Sequence, residues 1–284
     1  MKLASFGAIG REGAGVVDGD RILDLGKVRP AWPTTWGAIL RAGLWPEVSA
    51  AVEVARTSPS ASTALAGERL GPPITDPSKI IAIGLNYRDH ALEQGKEPPP
   101  APLLFAKAPS SLIGPRDPIV LPIDEPQVDA EAELAVAIGT RARDVTEAAA
   151  LDFVLGYTIM NDVSGRAAQY GDKQWFRGKS FDTFAPCGPW LVTADEYGDP
   201  IGRALEADWS DRAMQRGNTR DLLFDIRALV AYVSRQMTLL PGDLISTGTP
   251  AGVGVFRTPP VFLRSGDVVR IRLDGIGELQ NPVQ

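Results

Sequence analysis

Residues 129–139 read DAEAELAVAIG, a stretch that places two carboxylates inside an otherwise apolar segment. Side chains alternate between the two faces of a β-strand, so Glu131 and Glu133 share a face with two alanines, which leave room above the strand. The opposite, packing face carries Ala132, Leu134, Val136 and Ile138. Two neighbouring carboxylates repel each other when both are ionised, and a divalent cation with oxygen ligands removes that conflict. The alternative is an edge strand with a solvated acidic face.

Asp162 supplies a third carboxylate, at the end of the apolar segment GYTIMND (156–162). An acid in this position either caps the helix that follows or binds a ligand. Three oxygen donors without sulfur suit Mg²⁺ or Mn²⁺. The sequence therefore predicts a hard cation held by Glu131, Glu133 and Asp162.

His90 is the only histidine of the chain, so any imidazole chemistry must use it. It precedes Glu93 by three residues in GLNYRDHALE, and on a helix capped by Asn86 or Asp89 the two side chains share one face. A carboxylate beside an imidazole orients the ring and supports proton transfer. The prolines that follow cannot extend the helix, which indicates a short lid on stiff hinges. An incidental pair on a surface helix is the alternative.

Lys179, in QWFRGKSF, lies among apolar and aromatic residues and is a candidate to polarise a carbonyl. The alternative is a surface lysine whose methylenes cover apolar groups. The turn STGTPAGVG (246–254) offers backbone N–H groups and the Thr249 hydroxyl to an anion. Arg166 and Gln169, three residues apart after Asp162, are placed to face the same site. No GxxxxGK[ST] or GxGxxG motif indicates a nucleotide.

The composition limits the partners of the chain. Its 284 residues, 44% of them hydrophobic, suffice for a substantial core. A net charge of −6 argues against a nucleic-acid partner. A single cysteine, Cys187, excludes an intrachain disulfide and fits a reducing compartment. The N-terminus lacks the apolar run of a signal peptide, and no run approaches the ~20 apolar residues of a membrane span. We therefore expect a cytoplasmic protein without a membrane partner.

Strand-like runs separated by glycine and proline predict a mixed, β-rich α+β fold rather than a doubly wound parallel sheet. Strands are expected at 2–8, 13–18, 21–25, 79–84, 102–107, 118–122, 133–139, 153–160, 189–194, 243–248 and 267–273. Helices are expected at 35–43, 46–56, 146–153 and within 221–237. The small polar residues of 57–67 indicate a linker. A boundary near residue 75 would separate a small N-terminal β/α domain (1–75) from a larger domain (76–284).

Six blocks, in this order, resemble the fumarylacetoacetate hydrolase family, above all its bacterial acylpyruvate and diketo-deoxy-sugar-acid hydrolases. The blocks are IGLNYRDHALE (83–93), FAKAPSSLIGP (105–115), DAEAELAVAIG (129–139), GYTIMNDVSGR (156–166), GKSFDTFAPCGPW (178–190) and PGDLISTGTPAGVG (241–254). The resemblance implies a β-roll catalytic domain, a small N-terminal domain and a homodimer.

The resemblance also implies roles for individual residues. It implies Mg²⁺ or Mn²⁺ bound by Glu131, Glu133 and Asp162. It implies that His90 and Glu93 form a water-activating dyad on a lid, with Lys179 as a further catalytic group. The positions implied to bind a keto-acid substrate are Arg166, Gln169 and Thr249.

The activity expected from this resemblance is metal-dependent hydrolysis of a carbon–carbon bond in a 2,4-diketo acid. The substrate would be an acylpyruvate or a diketo-deoxy sugar acid, and the products pyruvate and a carboxylic acid. Two alternatives use the same metal-stabilised enolate without attack by water: decarboxylation of the oxaloacetate type and isomerisation of a hydroxydienedioate. A third is a non-catalytic binding protein on the same fold. The presence of both His90 and Glu93 favours hydrolysis.

Overall fold

A large, mostly antiparallel sheet is the framework of the chain, and the computed structural model describes every residue from 1 to 284. The strands are β1 Lys2–Phe6, β2 Gly13–Asp18, β3 Arg21–Asp24, β4 Ser62–Ala64, β5 Leu70–Gly71, β6 Ile80–Gly84, β7 Leu103–Lys107, β8 Leu112–Ile113, β9 Val128–Asp129, β10 Ala132–Ile138, β11 Val154–Asn161, β12 Ser164–Gly165, β13 Ala185–Thr193, β14 Ala204–Trp209, β15 Arg212–Asn218, β16 Leu244–Ser246, β17 Val268–Leu273 and β18 Gly277–Pro282.

The helices are short. They are α1 Leu25–Val28, α2 Trp36–Arg41, α3 Trp45–Thr57, α4 Arg88–Glu93, α5 Arg166–Gly171, α6 Phe176–Lys179, α7 Ala194–Tyr197 and α8 Ile226–Gln236. The 3-10 helices are Pro59–Ala61, Pro109–Ser111, Glu147–Phe153, Thr219–Asp221 and Gly254–Phe256. None of the helices combines the length and the apolarity that a membrane crossing requires.

Twelve strands form the large sheet, in the order β4-β3-β2-β1-β13-β11-β10-β16-β6-β7, with β5 on β1 and β8 on β13. Only two pairs in it are parallel, β16 with β6 and β8 with β13. A second sheet runs β15-β14-β17-β18, and β9 pairs with β12. This architecture confirms the predicted mixed, β-rich α+β class.

Strand β10 crosses the middle of the large sheet, and all of its residues are buried. Leu134, Val136 and Ile138 belong to a core that also contains apolar residues of α8. Ala135 and Ala137 belong to a second core, built around Trp36 and the buried face of α3. The room predicted above the alanines is therefore filled by the N-terminal part of the chain.

The N-terminal strands continue the same sheet. Strand β1 pairs antiparallel with β13, with Lys2 opposite Val192 and Leu3 opposite Leu191. The strands and helices predicted before residue 57 are present as β1–β3, α2 and α3. The domain boundary near residue 75 stays a prediction. The predicted linker 57–67 differs from the structure, because Pro59–Ala61 forms a 3-10 turn and β4 pairs with β3.

Other segments also differ between the sequence prediction and the structure. Segment 118–122 is not a strand: Ile119 forms a single bridge with Val283, between prolines that cannot donate to a ladder. Segment 146–153 is a 3-10 helix, and the Thr146 side chain does not cap it. Strands β14, β15 and β18 were not predicted, because charged residues on their exposed faces hide the alternation.

Asp243 fixes the start of β16, the strand that leads into the glycine turn 246–254. Its buried carboxylate accepts hydrogen bonds from the backbone N–H groups of Ser78 (3.1 Å), Lys79 (3.2 Å) and Leu240 (2.7 Å). It also forms an ion pair with the Lys79 ammonium. These contacts hold β16 against β6 and thereby fix the position of the glycine turn 246–254.

Replacing Asp243 with alanine should lower the free energy of unfolding by about 3 kcal/mol, because three partly buried N–H groups and a lysine lose their acceptor. Urea unfolding followed by circular dichroism measures the loss. Asp152→Ala, at an exposed position, is the control and should stay within about 0.5 kcal/mol of the parent protein. Equal stability of the two variants would contradict this role of Asp243.

Candidate active site

The three predicted cation ligands converge at one end of β10. Carboxylate oxygens of Glu131, Glu133 and Asp162 lie within 4.8 Å of one another, and all three residues are buried. Glu131 directly precedes β10, and Asp162 directly follows the neighbouring strand β11. Because β10 lies between β11 and β16, it is not an edge strand with a solvated acidic face.

Two cations partly neutralise these acids. The Lys179 ammonium lies 2.6 Å from Glu131 Oε2 and 2.6 Å from Asp162 Oδ2. Arg166 Nη2 lies 2.7 Å from Glu131 Oε1. Burial raises the pKa of Glu131, but the charges of Lys179 and Arg166 outweigh it and hold that pKa below its ordinary value. Lys179 is only 2% exposed, so it is not a surface lysine.

Glu133 forms no ion pair. Its Oε2 accepts hydrogen bonds from Ser246 Oγ (2.6 Å) and from the Gly248 N–H (2.8 Å). Burial, together with the charges of Asp162 and Glu131, raises the pKa of Glu133 to about 8. A buried group of three oxygen ligands with this unrelieved negative charge fits a divalent cation such as Mg²⁺ or Mn²⁺.

Lys107, at the end of β7, is a site residue that sequence reasoning missed. It is fully buried, and its ammonium donates to Asp162 Oδ1 (2.6 Å), to Val163 O (3.2 Å) and to Lys179 O. Burial lowers the pKa of Lys107 below its ordinary value. The residue orients Asp162 and anchors the segment that carries Lys179. A lysine that ends the apolar strand LLFAK was the one available signal.

Arg166 and Gln169 lie together on α5, as their spacing predicted. Arg166 Nη1 donates to Gln169 Oε1 (3.0 Å), and both residues are buried. Arg166 also pairs with Asp129 (2.7 Å), a second residue that sequence reasoning missed. Asp129 accepts the N–H groups of Gly254 (2.8 Å) and Val255 (3.0 Å), which ties the arginine to the end of the glycine turn.

Helix α4, the predicted lid, lies against the glycine turn. His90 Nδ1 lies 3.0 Å from Glu93 Oε2, and Glu93 Oε1 accepts the Gly252 N–H (2.8 Å). Asp89 Oδ2 accepts the Ala251 N–H (3.2 Å). His90 is only 5% exposed, so it faces the interior of the site and not solvent.

The start of the lid differs from the prediction, because neither Asn86 nor Asp89 caps α4 through its side chain. Tyr87 occupies the cap position without a side-chain hydrogen bond. The Asn86 amide instead donates to Thr247 O (2.7 Å) and to Phe224 O (3.0 Å). Asn86 therefore ties the entrance of the lid to the turn beneath it.

The N–H groups of the glycine turn meet anions, but those anions are the protein's own carboxylates, and the Thr249 hydroxyl, which was predicted to face an anion, does not contact one. The backbone N–H groups of the turn donate hydrogen bonds to four carboxylates: Gly248 to Glu133, Ala251 to Asp89, Gly252 to Glu93 and Gly254 to Asp129. The Thr249 hydroxyl donates to Ala132 O (2.9 Å) and accepts from Gln215 Nε2 (2.7 Å). The turn thus positions the acids and the lid together.

A cavity of about 130 Å³ joins these groups. It is lined by eight of the nine predicted site residues; Glu93 contacts His90 from behind. Phe105, Trp175 and Phe256 form apolar walls. Four larger pockets, of about 700, 590, 480 and 280 Å³, contain none of the predicted residues, so size alone does not identify the site.

The sequence profile of the fumarylacetoacetate hydrolase C-terminal domain matches residues 79–284. The chain belongs to the fumarylacetoacetate hydrolase family. A mitochondrial oxaloacetate tautomerase of Xenopus laevis is 43% identical over 278 residues, which cover 96% of this chain and 86% of the relative. The resemblance recognised in the sequence is thereby confirmed.

Solved structures of this family are similar over the whole chain. A maleylpyruvate hydrolase from Sphingobium sp. SYK-6, in complex with manganese(II) and pyruvate, has a TM-score of 0.82 at 36% identity, covering 100% of this chain and 98% of that one. A 5-carboxymethyl-2-hydroxymuconate delta-isomerase from Mycobacterium smegmatis has a TM-score of 0.78 at 39% identity, with the same coverage. Family members that resemble this chain therefore include a hydrolase, an isomerase and a tautomerase.

Replacing Glu133 with glutamine should weaken Mn²⁺ binding at least about tenfold, because an oxygen ligand loses its charge while its shape is kept. Calorimetric titration with Mn²⁺ measures the change. Glu206→Gln, a change of equal charge outside the cavity, should bind Mn²⁺ like the parent protein. An unchanged dissociation constant for Glu133→Gln would exclude Glu133 as a ligand.

Proposed function

We propose that this protein hydrolyses a carbon–carbon bond in a 2,4-diketo acid, an acylpyruvate or a diketo-deoxy sugar acid, and releases pyruvate and a carboxylic acid. The observation that carries the proposal is the His90–Glu93 pair, which faces the same buried cavity as the three acids. A base next to a cation site supplies the two requirements of such a hydrolysis, an activated water and a stabilised leaving group.

Glu131, Glu133 and Asp162 would hold Mg²⁺ or Mn²⁺, which would supply positive charge that polarises a neighbouring 2-keto acid. The Lys179 ammonium has three N–H donors and uses two of them on Glu131 and Asp162. Its third donor is available to a substrate oxygen. Arg166 and Gln169 would orient the 2-keto carboxylate, and Thr249 would border the bound substrate.

His90 would act as the base. With Nδ1 donating to Glu93, the lone pair of the ring lies on Nε2, which would take a proton from water. The hydroxide adds to the C4 carbonyl carbon, the C3–C4 bond breaks, and its electron pair stays with C3. The proton that His90 took is returned to C3. One water is consumed, and the products are pyruvate and the carboxylic acid of the distal part.

A proton shift without attack by water is the second candidate. The similar Xenopus laevis protein is an oxaloacetate tautomerase, and the similar Mycobacterium smegmatis structure is a delta-isomerase. Tautomerisation and isomerisation of keto acids need the same cation site and a base, decarboxylation needs the cation site and a proton donor for the enolate, and none of the three consumes water. A purely binding function would leave the buried dyad beside the acids without a purpose. We expect the protein to act in the cytoplasm as a homodimer.

A substrate panel separates these reactions. Acylpyruvates, diketo-deoxy sugar acids and oxaloacetate are incubated with Mg²⁺ or Mn²⁺, and the products are identified by NMR. We expect pyruvate and a carboxylic acid from a diketo acid, and a loss of about 10²- to 10⁴-fold in kcat for His90→Ala, because the general base is removed. Unchanged turnover in His90→Ala, or enol–keto exchange as the sole reaction, would overturn the hydrolase.

Removal of divalent cations should abolish activity while the chain stays folded, since the acids keep Lys179 and Arg166 as partners. The test is dialysis against a chelator, followed by assays with and without added Mg²⁺ or Mn²⁺. Circular dichroism before and after dialysis controls for unfolding. Activity that survives complete chelation would contradict a catalytic cation.

A further inference from the structure

Lys96 differs from the other cationic groups of the cavity. Arg166 and Lys179 are paired with buried carboxylates at the closed end, and His90 is paired with Glu93. Lys96 lines the same cavity, is exposed, and forms no ion pair. Its ammonium donates one side-chain hydrogen bond, to Gln94 Oε1 at 3.0 Å. The open end of the cavity therefore carries a positive charge that no protein carboxylate neutralises.

Gln94 connects this lysine to the histidine. Its side-chain nitrogen lies 2.9 Å from His90 Nε2. Because an ammonium can only donate, the Gln94 oxygen faces Lys96 and the Gln94 NH₂ faces His90. An NH₂ group also only donates, so His90 Nε2 is the acceptor and the ring proton lies on Nδ1, where it is donated to Glu93. The hydrogen bonds run in one direction from Lys96 to Glu93.

This chain of hydrogen bonds covers the nitrogen that catalysis requires. His90 Nε2 has a single lone pair, and the Gln94 amide occupies it. A water molecule can give its proton to Nε2 only after Gln94 has moved away. The contact of Lys96 with the Gln94 carbonyl orients the Gln94 NH₂ towards His90, so a group that draws the ammonium aside removes this orientation and lets the amide turn away. An anion at the open end of the cavity is such a group.

We propose that Lys96 is a specificity-determining residue that binds a second carboxylate, at the distal end of the substrate, and thereby releases Gln94 from His90. The inference rests on the proposed function and deepens it: the substrate class is a keto acid with a carboxylate at each end. The 2-keto carboxylate binds at the closed end with Arg166, and the distal carboxylate meets Lys96. Substrates without the distal charge leave Gln94 on the histidine.

Two ligands of equal chain length test the recognition step. 2-Oxoglutarate ends in a distal carboxylate, whereas 2-oxopentanoate ends in a methyl group. Neither has the 4-keto group that hydrolysis needs. We measure both affinities by calorimetry with Mg²⁺ present. Lys96→Met should weaken 2-oxoglutarate about tenfold, the effect of one hydrogen bond to a charged group, and leave 2-oxopentanoate unchanged. Lys96→Arg should retain the preference.

Arg88→Met is the matched control, because Arg88 is an exposed cation of α4, the helix that precedes Lys96 in the chain, and it does not line the cavity. It should bind both ligands like the parent protein. An equal loss for both ligands in Lys96→Met, or no loss for either, would overturn the assignment of Lys96. An equal loss of 2-oxoglutarate in Arg88→Met would show general attraction by lid charges and would also overturn it.

The release of Gln94 from His90 can be followed by NMR, because His90 is the only histidine of the chain. Labelling with ¹⁵N-histidine gives the ring signals of His90 alone. With Mg²⁺ present, 2-oxoglutarate should shift the Nε2 signal towards the value that Gln94→Met shows without ligand, and 2-oxopentanoate should not. Identical shifts with both ligands, or a Gln94→Met spectrum equal to that of the parent, would overturn the release of Gln94.

These measurements do not depend on bond cleavage. If both tests succeed and no diketo acid is hydrolysed, the proposed function fails and the recognition of a distal carboxylate stands. If a diketo acid is hydrolysed and the two ligands bind alike in all variants, the function stands and this inference fails.

Discussion

The burial of several carboxylates at the centre of one sheet is the constraint on which the rest of this structure depends. Moving a carboxylate out of water is costly unless opposite charges and hydrogen bonds accompany it. Four acids meet there: Asp129, Glu131, Glu133 and Asp162. Three buried cations surround them: Lys107, Arg166 and Lys179. With all four acids ionised, one negative charge is left over, and a bound divalent cation would turn this into one positive charge, which matches a single carboxylate of a keto acid.

The glycine turn 246–254 gives this charged centre its shape. The same turn donates a backbone N–H to Glu133 on the floor of the cavity and another to Glu93 on the lid. Its position is set by β16, which Asp243 holds against β6. A shift of the turn would therefore displace an acid of the cation site and the histidine partner together, which couples lid closure to the geometry of the floor.

The sequence predicted what depends on local spacing. Strand alternation placed Glu131 and Glu133 together, and helical spacing placed His90 beside Glu93. Groups whose partners lie far along the chain were missed: Lys107 meets Asp162 across 55 positions, and neither residue has a periodic signal that points to the other. The filled space above the alanines was also missed, because it depends on the pairing of β1 with β13.

Ala135 and Ala137 of β10 connect the acidic site with the N-terminal part of the chain. They belong to the same buried core as Trp36 and the apolar face of α3, so the strand that carries Glu133 shares its packing with the N-terminal elements. Protein interiors are close-packed and transmit strain. A substitution that loosens the packing around Trp36 would therefore reach the strand beneath the acids, although Trp36 itself lies outside the cavity.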